Sequence, residues 1–228
     1  MELIIIIIAI IASVVMSLIM RTKTKELKNI ALDEKLNSIS KKFPSNTEIC
    51  KTILKQLGNE TTKVEEDLKS EATIYVAIQD KISVGNTHES FTRIQTMAHE
   101  CLHSVQDKKL LMFNFIYSNI YLIYFIITCI LICIGKLNDI MLFSNIFLIL
   151  SFIYYVIKIF LENDAMIKAQ YLAKEYMEKQ ECATEKDIEK IYDGFKQLNK
   201  GLIKSTNCNL FVGIMIKLVI FNALALIF

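Results

Sequence analysis

Two histidines and a glutamate form the pattern with the clearest chemical meaning in this sequence, His99-Glu100-Cys101-Leu102-His103. Residues four apart on a helix lie nearly above one another, so both imidazoles can direct one nitrogen at a single metal ion. Glu100 points to the side of that pair, where it can take a proton from a water held by the metal. The spacing therefore predicts a helix that carries two zinc ligands, His99 and His103, and a catalytic base, Glu100.

A hydrolytic zinc site needs three protein ligands and one open position for water, so the histidine pair requires a third ligand. We expect Glu162 to be that ligand, and Asp164 to accept a hydrogen bond from the imidazole nitrogen that faces away from the metal. His88, the remaining histidine of the chain, is an alternative ligand or an oxyanion donor, although it lies in a predicted turn. Two simpler interpretations remain open. Glu162 would then mark a membrane boundary, and the histidines would be exposed on an amphipathic helix.

The composition predicts a mainly α-helical membrane protein. Of its 228 residues, 53% are hydrophobic, only one is proline, and the apolar residues gather in four runs of membrane length. The net charge of +2 is too small to indicate a nucleic-acid partner, and no Lys/Arg stripe is interleaved with aromatic residues. The expected partners are the lipid bilayer and a protein or peptide substrate. The six cysteines contain no C-x-x-C pair, which indicates reduced thiols facing a cytosol, with Cys101 as a packing residue.

The apolar runs divide the chain into five segments: an N-terminal transmembrane anchor (1–20), a cytoplasmic catalytic segment (21–109), a transmembrane hairpin (110–161), a cytoplasmic helical segment (162–206) and a C-terminal transmembrane helix (207–228). Positive charge follows the first run and no cleavage site accompanies it, so we expect an uncleaved anchor with its N-terminus outside. Both polar segments then face the cytoplasm, and His99, His103 and Glu162 share one side of the membrane.

Local patterns predict the elements of the polar segments. They are an amphipathic helix over 25–40, a second helix from Ser45 or Asn46 to Gly58 with Glu48 in a capping box, a β-hairpin over 72–78 and 81–84, a cap formed by Asn86 and Glu89 for the motif helix, and a polar helical stretch from Glu162 to about Thr206. The edge of such a hairpin can bind an extended peptide as an added strand. Ordinary packing is the alternative explanation for the hairpin.

Several of these segments together resemble the YugP-like family of neutral zinc metallopeptidases of bacterial membranes. The matching parts are Asn46-Thr47-Glu48-Ile49, the strand pair before Asn86, the segment 98–106, and Glu162-Asn163-Asp164-Ala165 followed by Lys168-Ala169. The resemblance implies one Zn²⁺ per chain, bound by His99, His103 and Glu162, with Glu100 as catalytic base. It also implies a small zincin-like α+β part, the motif helix plus the hairpin, at the cytoplasmic surface of a bacterial inner membrane. Leu102 and Met166 depart from the family, which has glycine and a small residue there. The larger side chain of Leu102 would narrow the site or face lipid, and both changes leave the ligand set intact but bear on substrate access.

We therefore expect a multi-pass membrane metallopeptidase that cleaves peptide bonds at the membrane surface. Three alternatives stay open: an intramembrane zinc protease, a catalytically inactive chaperone or scaffold with the same fold, and a transporter with an incidental motif. Polar residues such as Ser90, Thr92 and Arg93 precede the motif, which favours the membrane surface over the bilayer interior. A transporter would need more polar residues in its membrane helices than these four runs contain.

Overall fold

The computed structural model describes residues 1–21, 24–86 and 90–228. The helices in these ranges are α1 (Glu2–Ile19), α2 (Thr24–Ala31), α3 (Glu34–Ser40), α4 (Asn46–Gln56), α5 (Arg93–Val105), α6 (Lys108–Cys133), α7 (Ile140–Gln180) and α8 (Glu185–Ile227). The strands are β1 (Lys63–Asp67), β2 (Ile74–Val76) and β3 (Lys81–Gly85), with a short 3₁₀ turn, Ala77–Gln79, between β2 and β3. The predicted mainly α fold with a small sheet is confirmed.

Within the described ranges, α1, α6, α7 and α8 are long and apolar enough to cross a membrane. In α1 only Ala9 is buried, and its remaining apolar side chains are partly or fully exposed. A helix that is apolar on all sides suits a lipid environment better than water. The chain thus has the four candidate membrane-spanning helices that the apolar runs predict.

The chain folds as two compact units. The first consists of Met1–Thr22, Phe113–Phe160 and Lys204–Phe228, and in its core the ring of Phe147 stacks against Tyr121 and Phe221. The second consists of Lys23–Met112 and Leu161–Ile203. The described site residues predicted from the sequence all belong to the second unit.

The single helix predicted over residues 25–40 is wrong, because the structure has two helices there. The first, α2, ends at Ala31. Asp33 then caps α3, since its carboxylate accepts hydrogen bonds from the backbone N–H groups of Lys35 and Leu36 at 2.9 and 3.1 Å. A side-chain cap of this kind starts a new helix, whatever the apolar spacing across it.

The capping box predicted for α4 is confirmed. The hydroxyl of Ser45 accepts the N–H of Glu48 at 3.3 Å, and the Glu48 carboxylate accepts the N–H of Ser45 at 3.3 Å. After α4, Gly58 has a φ of +68°, a conformation that glycine adopts without strain. On its buried face α4 meets α5, where the Cys101 thiol lies 3.6 Å from the Cys50 carbonyl oxygen. Cys101 is fully buried, in agreement with its predicted packing role.

A three-stranded sheet contains the predicted hairpin. Strands β2 and β3 pair in antiparallel fashion, with Tyr75 opposite Ile82. The first strand, β1, pairs with β3 in parallel, so the order is β1-β3-β2 and β2 lies at an edge. Nothing in the sequence predicted β1, because four of its five residues are charged and only Val64 is apolar.

The motif helix α5 begins at Arg93 rather than at the predicted cap, Asn86. The N–H of Asn86 donates to the Ser70 carbonyl instead, at 2.8 Å. The chain is held just before α5 by Phe91, whose N–H donates to Asn37 Oδ1 at 2.8 Å and whose ring is fully buried. These contacts with distant parts of the chain fix the start of α5. Glu89, the partner predicted for the cap, lies outside the described residues, as do Thr87 and His88.

The polar stretch predicted from 162 to 206 is not a separate element. It is the second half of α7 and the first half of α8, separated by a turn at Glu181 with a φ of +52°. No proline or glycine occurs between residues 140 and 180, so nothing ends the helix where the apolar run stops. Glu162 is therefore held within a continuous helix, not at the end of one.

A buried arginine anchors the first turn of α5. The guanidinium of Arg93, 5% exposed, donates to the Ser40 hydroxyl at 3.1 Å, and to the carbonyl oxygens of Ser40, Phe43 and Pro44 and the side chain of Asn46 at 2.8–2.9 Å. All five N–H groups of the side chain are thus used. Arg93 fastens α5 to the connection between α3 and α4.

Candidate metal centre

The two histidines of the motif converge as the helical spacing predicts. Both lie on α5, and their Nε2 atoms are 3.0 Å apart. The imidazole rings meet edge to face at 86°, with their centroids 4.5 Å apart. Both nitrogens therefore approach a common point rather than pointing past one another.

The third predicted ligand joins them from α7. Glu162 Oε2 lies 3.5 Å from His99 Nε2 and 3.8 Å from His103 Nε2. Together with the separation of 3.0 Å between the nitrogens, these distances define a triangle whose equidistant point lies about 2.0 Å from each atom. Zinc binds imidazole nitrogen and carboxylate oxygen at about 2.0–2.2 Å. The three ligand atoms are close enough together to hold one such ion.

The chemistry of this donor set also suits zinc. Two imidazoles and one carboxylate are a ligand set of hydrolytic zinc sites, in which the fourth position stays open. The side chains of His99, His103 and Glu162 are 16%, 11% and 17% exposed, so the group is sheltered but still reached by solvent. Within the described ranges, this is the group of histidine, cysteine and acidic side chains that could hold a metal.

Glu100 lies beside the triangle and is held by the sheet. Its Oε1 is 3.9 Å from His99 Nε2, and its Oε2 accepts a hydrogen bond from the backbone N–H of Tyr75, on strand β2, at 2.7 Å. Burial raises the pKa of the Glu100 carboxyl, and Glu162 adds to this, while the two histidines and the Tyr75 N–H act in the opposite direction. The net result is a carboxylate of raised pKa, which suits a general base.

Gln106, for which no role was predicted, orients His103. Its Oε1 lies 2.8 Å from His103 Nδ1, while its Nε2 donates to the Leu161 carbonyl at 2.9 Å and contacts Asp164 Oδ2 at 3.3 Å. Since the Gln106 amide NH₂ faces Leu161, the Gln106 amide oxygen accepts a hydrogen bond from His103 Nδ1. The lone pair of His103 Nε2 is then left to face the point between the three ligand atoms. Burial lowers the pKa of His103, but its interactions with Glu162, Gln106 and Glu100 raise that pKa overall.

Asp164 does not take the position predicted for it. It contacts Gln106 rather than a histidine, and its other oxygen pairs with Lys168 at 2.7 Å. The reason is geometric: Gln106 ends α5 and is the nearer polar group to His103 Nδ1. The hydrogen-bonded link from Asp164 to His103 therefore runs through Gln106, and the Asp164 charge also acts on His103 directly. His88, the alternative ligand, lies outside the described residues.

The two positions that depart from the resembled family have different surroundings. Leu102 packs into the hydrophobic core of the second unit and is 9% exposed. Met166 lines a cavity that His99 also lines. Of the two, only Met166 is placed to influence access to the site.

Comparisons with protein-family models, with curated proteins and with solved structures give no match for this chain. The site combines three side chains that could hold a metal ion, a buried carboxylate beside them and a hydrogen-bonded histidine. Such a combination can activate a water molecule and stabilise negative charge on a carbonyl oxygen.

Proposed function

We propose that this chain is a membrane-embedded zinc-dependent metallopeptidase that hydrolyses peptide bonds of protein or peptide substrates. The observation that carries the proposal is the convergence of His99 Nε2, His103 Nε2 and Glu162 Oε2 around one point, with the Glu100 carboxylate beside it. Helical spacing on α5 is enough to bring the two histidines together. Glu162 reaches the same point from α7, far along the chain, so its position is not a consequence of that spacing.

A bound zinc ion would supply Lewis-acid polarisation of the scissile carbonyl and lower the pKa of its water to about 7. His99, His103 and Glu162 would hold that ion. Gln106 keeps His103 in the tautomer whose Nε2 is free to bind, because it accepts from Nδ1.

Glu100 performs the proton transfers. The Tyr75 N–H fixes Oε2, so Oε1 is the oxygen nearer to His99 Nε2 and the one available to the attacking water. In that position Oε1 can accept a proton from the water and donate it afterwards to the leaving amine. A carboxylate in this role typically contributes about 10²–10⁴ in rate.

Membership of the YugP-like family, with its zincin-like catalytic part, belongs to the same proposal. So does a location in a bacterial inner membrane, with the N-terminus outside and the site facing the cytoplasm. Four candidate membrane helices and the Lys-rich polar segments support this orientation. Within the described ranges, α5 is not among the membrane-length helices, which favours cleavage at the membrane surface over cleavage within the bilayer.

Zinc content and peptide hydrolysis of the purified full-length protein test the proposal together. We expect about one zinc per chain by mass spectrometry, retained in Glu100→Gln but lost in His103→Ala and reduced in Glu162→Ala. Hydrolysis should be lost in all three. Glu178→Ala is the matched control, because Glu178 is exposed on the same helix as Glu162 and forms an ion pair with Lys174 one turn away.

Two outcomes would refute parts of the proposal. Zinc bound as tightly to Glu162→Ala as to the wild type would remove Glu162 from the ligand set. Zinc-loaded wild type without hydrolytic activity would leave the alternative, a catalytically inactive chaperone or scaffold.

A further inference from the structure

A cavity of about 430 Å³ lies beside the candidate metal centre, within the second unit. Helices α2, α5, α7 and α8 form its walls. Most of its surface is apolar, and the apolar side chains that line it are Leu27, Ala31, Met166, Leu198 and Leu202. Since His99 also lines the cavity, its occupant would lie against one of the three ligands.

The polar side of the cavity follows one face of α5. Thr92, Gln95 and His99 line it at spacings of three and four residues, which places them on one side of the helix. This face leads from the start of α5 to the metal ligand. A peptide whose scissile bond lies at the metal can therefore extend along α5 and place a neighbouring side chain in the cavity.

Size and charge restrict what that side chain can be. Small-ligand pockets hold about 300–1,000 Å³, so this cavity is at the lower end and suits one large side chain with its adjoining backbone. An exposed lysine, Lys28, also lines the cavity. Its charge would repel a basic side chain. The apolar walls favour large aliphatic or aromatic residues.

Met166 is the wall residue best placed to set the depth of the cavity. Asn199, another lining residue, is 3% exposed and donates to the Met166 carbonyl at 2.8 Å. This hydrogen bond joins α8 to α7 at the cavity wall. A smaller side chain at position 166 should therefore enlarge the cavity rather than let the helices close on it.

We infer that this cavity is the specificity pocket of the site, and that it receives a large apolar side chain next to the scissile bond of a peptide substrate, with Met166 limiting its size. The inference rests on the proposed function. It adds a substrate class: peptides with leucine, methionine or phenylalanine beside the cleaved bond, and not with lysine or arginine.

The test uses the full-length protein in detergent and decapeptides that differ at one central position, Ala, Leu, Phe or Lys, and carry no other charged side chain. Mass spectrometry of the products locates the cleaved bond. Wild-type protein should cleave the Leu and Phe peptides at least about tenfold faster than the Ala and Lys peptides. Met166→Ala should raise the ratio of kcat/KM for Phe over Leu about tenfold. Ala31→Leu, which fills the cavity from α2, should change that ratio in the opposite direction.

Ile167→Ala is the matched control, because Ile167 follows Met166 on the same helix but is 48% exposed and does not line the cavity. Its side-chain preference should equal that of the wild type. Thermal unfolding of every variant confirms that it is folded. Normal turnover with the same Phe-to-Leu ratio in wild type, Met166→Ala and Ala31→Leu would overturn the inference and leave the proposed function intact.

A binding measurement separates the inference from the proposed function. Fluorescence anisotropy with labelled peptides, on protein freed of metal by a chelator, should show the same preference for Leu and Phe over Lys. If the zinc-loaded protein shows no turnover, but Met166→Ala still changes this preference, the peptidase proposal fails and the pocket stands. If the protein shows no turnover and no side-chain-selective binding, both the proposed function and the pocket are refuted.

Discussion

Replacing Gln106 by alanine should weaken zinc binding without removing a ligand. The substitution deletes the acceptor for His103 Nδ1 and the donor to the Leu161 carbonyl, which lie at 2.8 and 2.9 Å in the structure. It therefore frees the His103 ring to turn and loosens the link between α5 and the turn of α7 that carries Glu162.

The expected loss follows from those two hydrogen bonds. Each contributes about 0.5–1.5 kcal/mol, so together they are worth about 1–3 kcal/mol. Partners that orient a metal-binding histidine typically change metal affinity by about 10- to 100-fold, or about 1.4–2.7 kcal/mol. We expect Gln106→Ala to raise the Kd for zinc within that range.

Competition with a chromophoric chelator measures the zinc Kd of the purified variants. Val105→Ala is the control, since Val105 is the exposed neighbour of Gln106, and it should bind zinc like the wild type. Asp164→Asn should change the Kd less than about threefold, because Asp164 touches Gln106 only at 3.3 Å. Wild-type affinity in Gln106→Ala, or a larger loss in Asp164→Asn, would show that the assignment of Gln106 is wrong.

Three further predictions concern stability, measured by thermal unfolding in detergent. Gly85→Ala should lower the free energy of unfolding by about 1–3 kcal/mol, because a Cβ there would lie 2.5 Å from the backbone oxygen of Ala72. Gly58→Ala should lower it by only about 1 kcal/mol, because the position has a positive φ but open space around it. Arg93→Met should cost about 3–5 kcal/mol by leaving buried oxygens without donors, and a loss under 1 kcal/mol would contradict its anchoring role. Burial raises the pKa of Asp80, but the hydrogen bonds it accepts from hydroxyl groups lower the pKa overall. The Asp80 carboxylate therefore stabilises the folded protein at neutral pH, and this stabilisation is lost as the pH falls below about 4. Asp80→Asn should therefore lower Tm by about 2 °C at pH 7, and this difference should vanish in acid; a constant difference would exclude the charge as its cause.

Local sequence signals predicted the elements that depend on neighbouring residues. The capping box of Ser45 and Glu48 and the hairpin of β2 and β3 are examples, since each is determined within a few residues. Strand β1 was not predicted, because its residues are mostly charged and it forms only by hydrogen bonding to β3. The start of α5 escaped for a similar reason: Phe91 is fixed by Asn37, which is remote in sequence.

The candidate site divides in the same way. Helical spacing was enough to predict that His99 and His103 would converge, and the need for a third ligand indicated Glu162. The orienting role of Gln106 was not predictable, because a glutamine three residues after a histidine is unremarkable without knowledge of what α7 places beside it. The cavity lined by Met166 also depends on four helices from distant parts of the chain.

The hydrogen bond that joins Glu100 to the sheet is donated by a main-chain group, the N–H of Tyr75. Nineteen of the twenty amino acids keep that N–H, so no ordinary substitution at position 75 can release the carboxylate, and only proline lacks the donor. The Tyr75 hydroxyl, which bonds to Asp80 at 3.0 Å, can therefore be changed independently of the base. Comparing Tyr75→Phe with Tyr75→Pro would separate these two functions of a single residue.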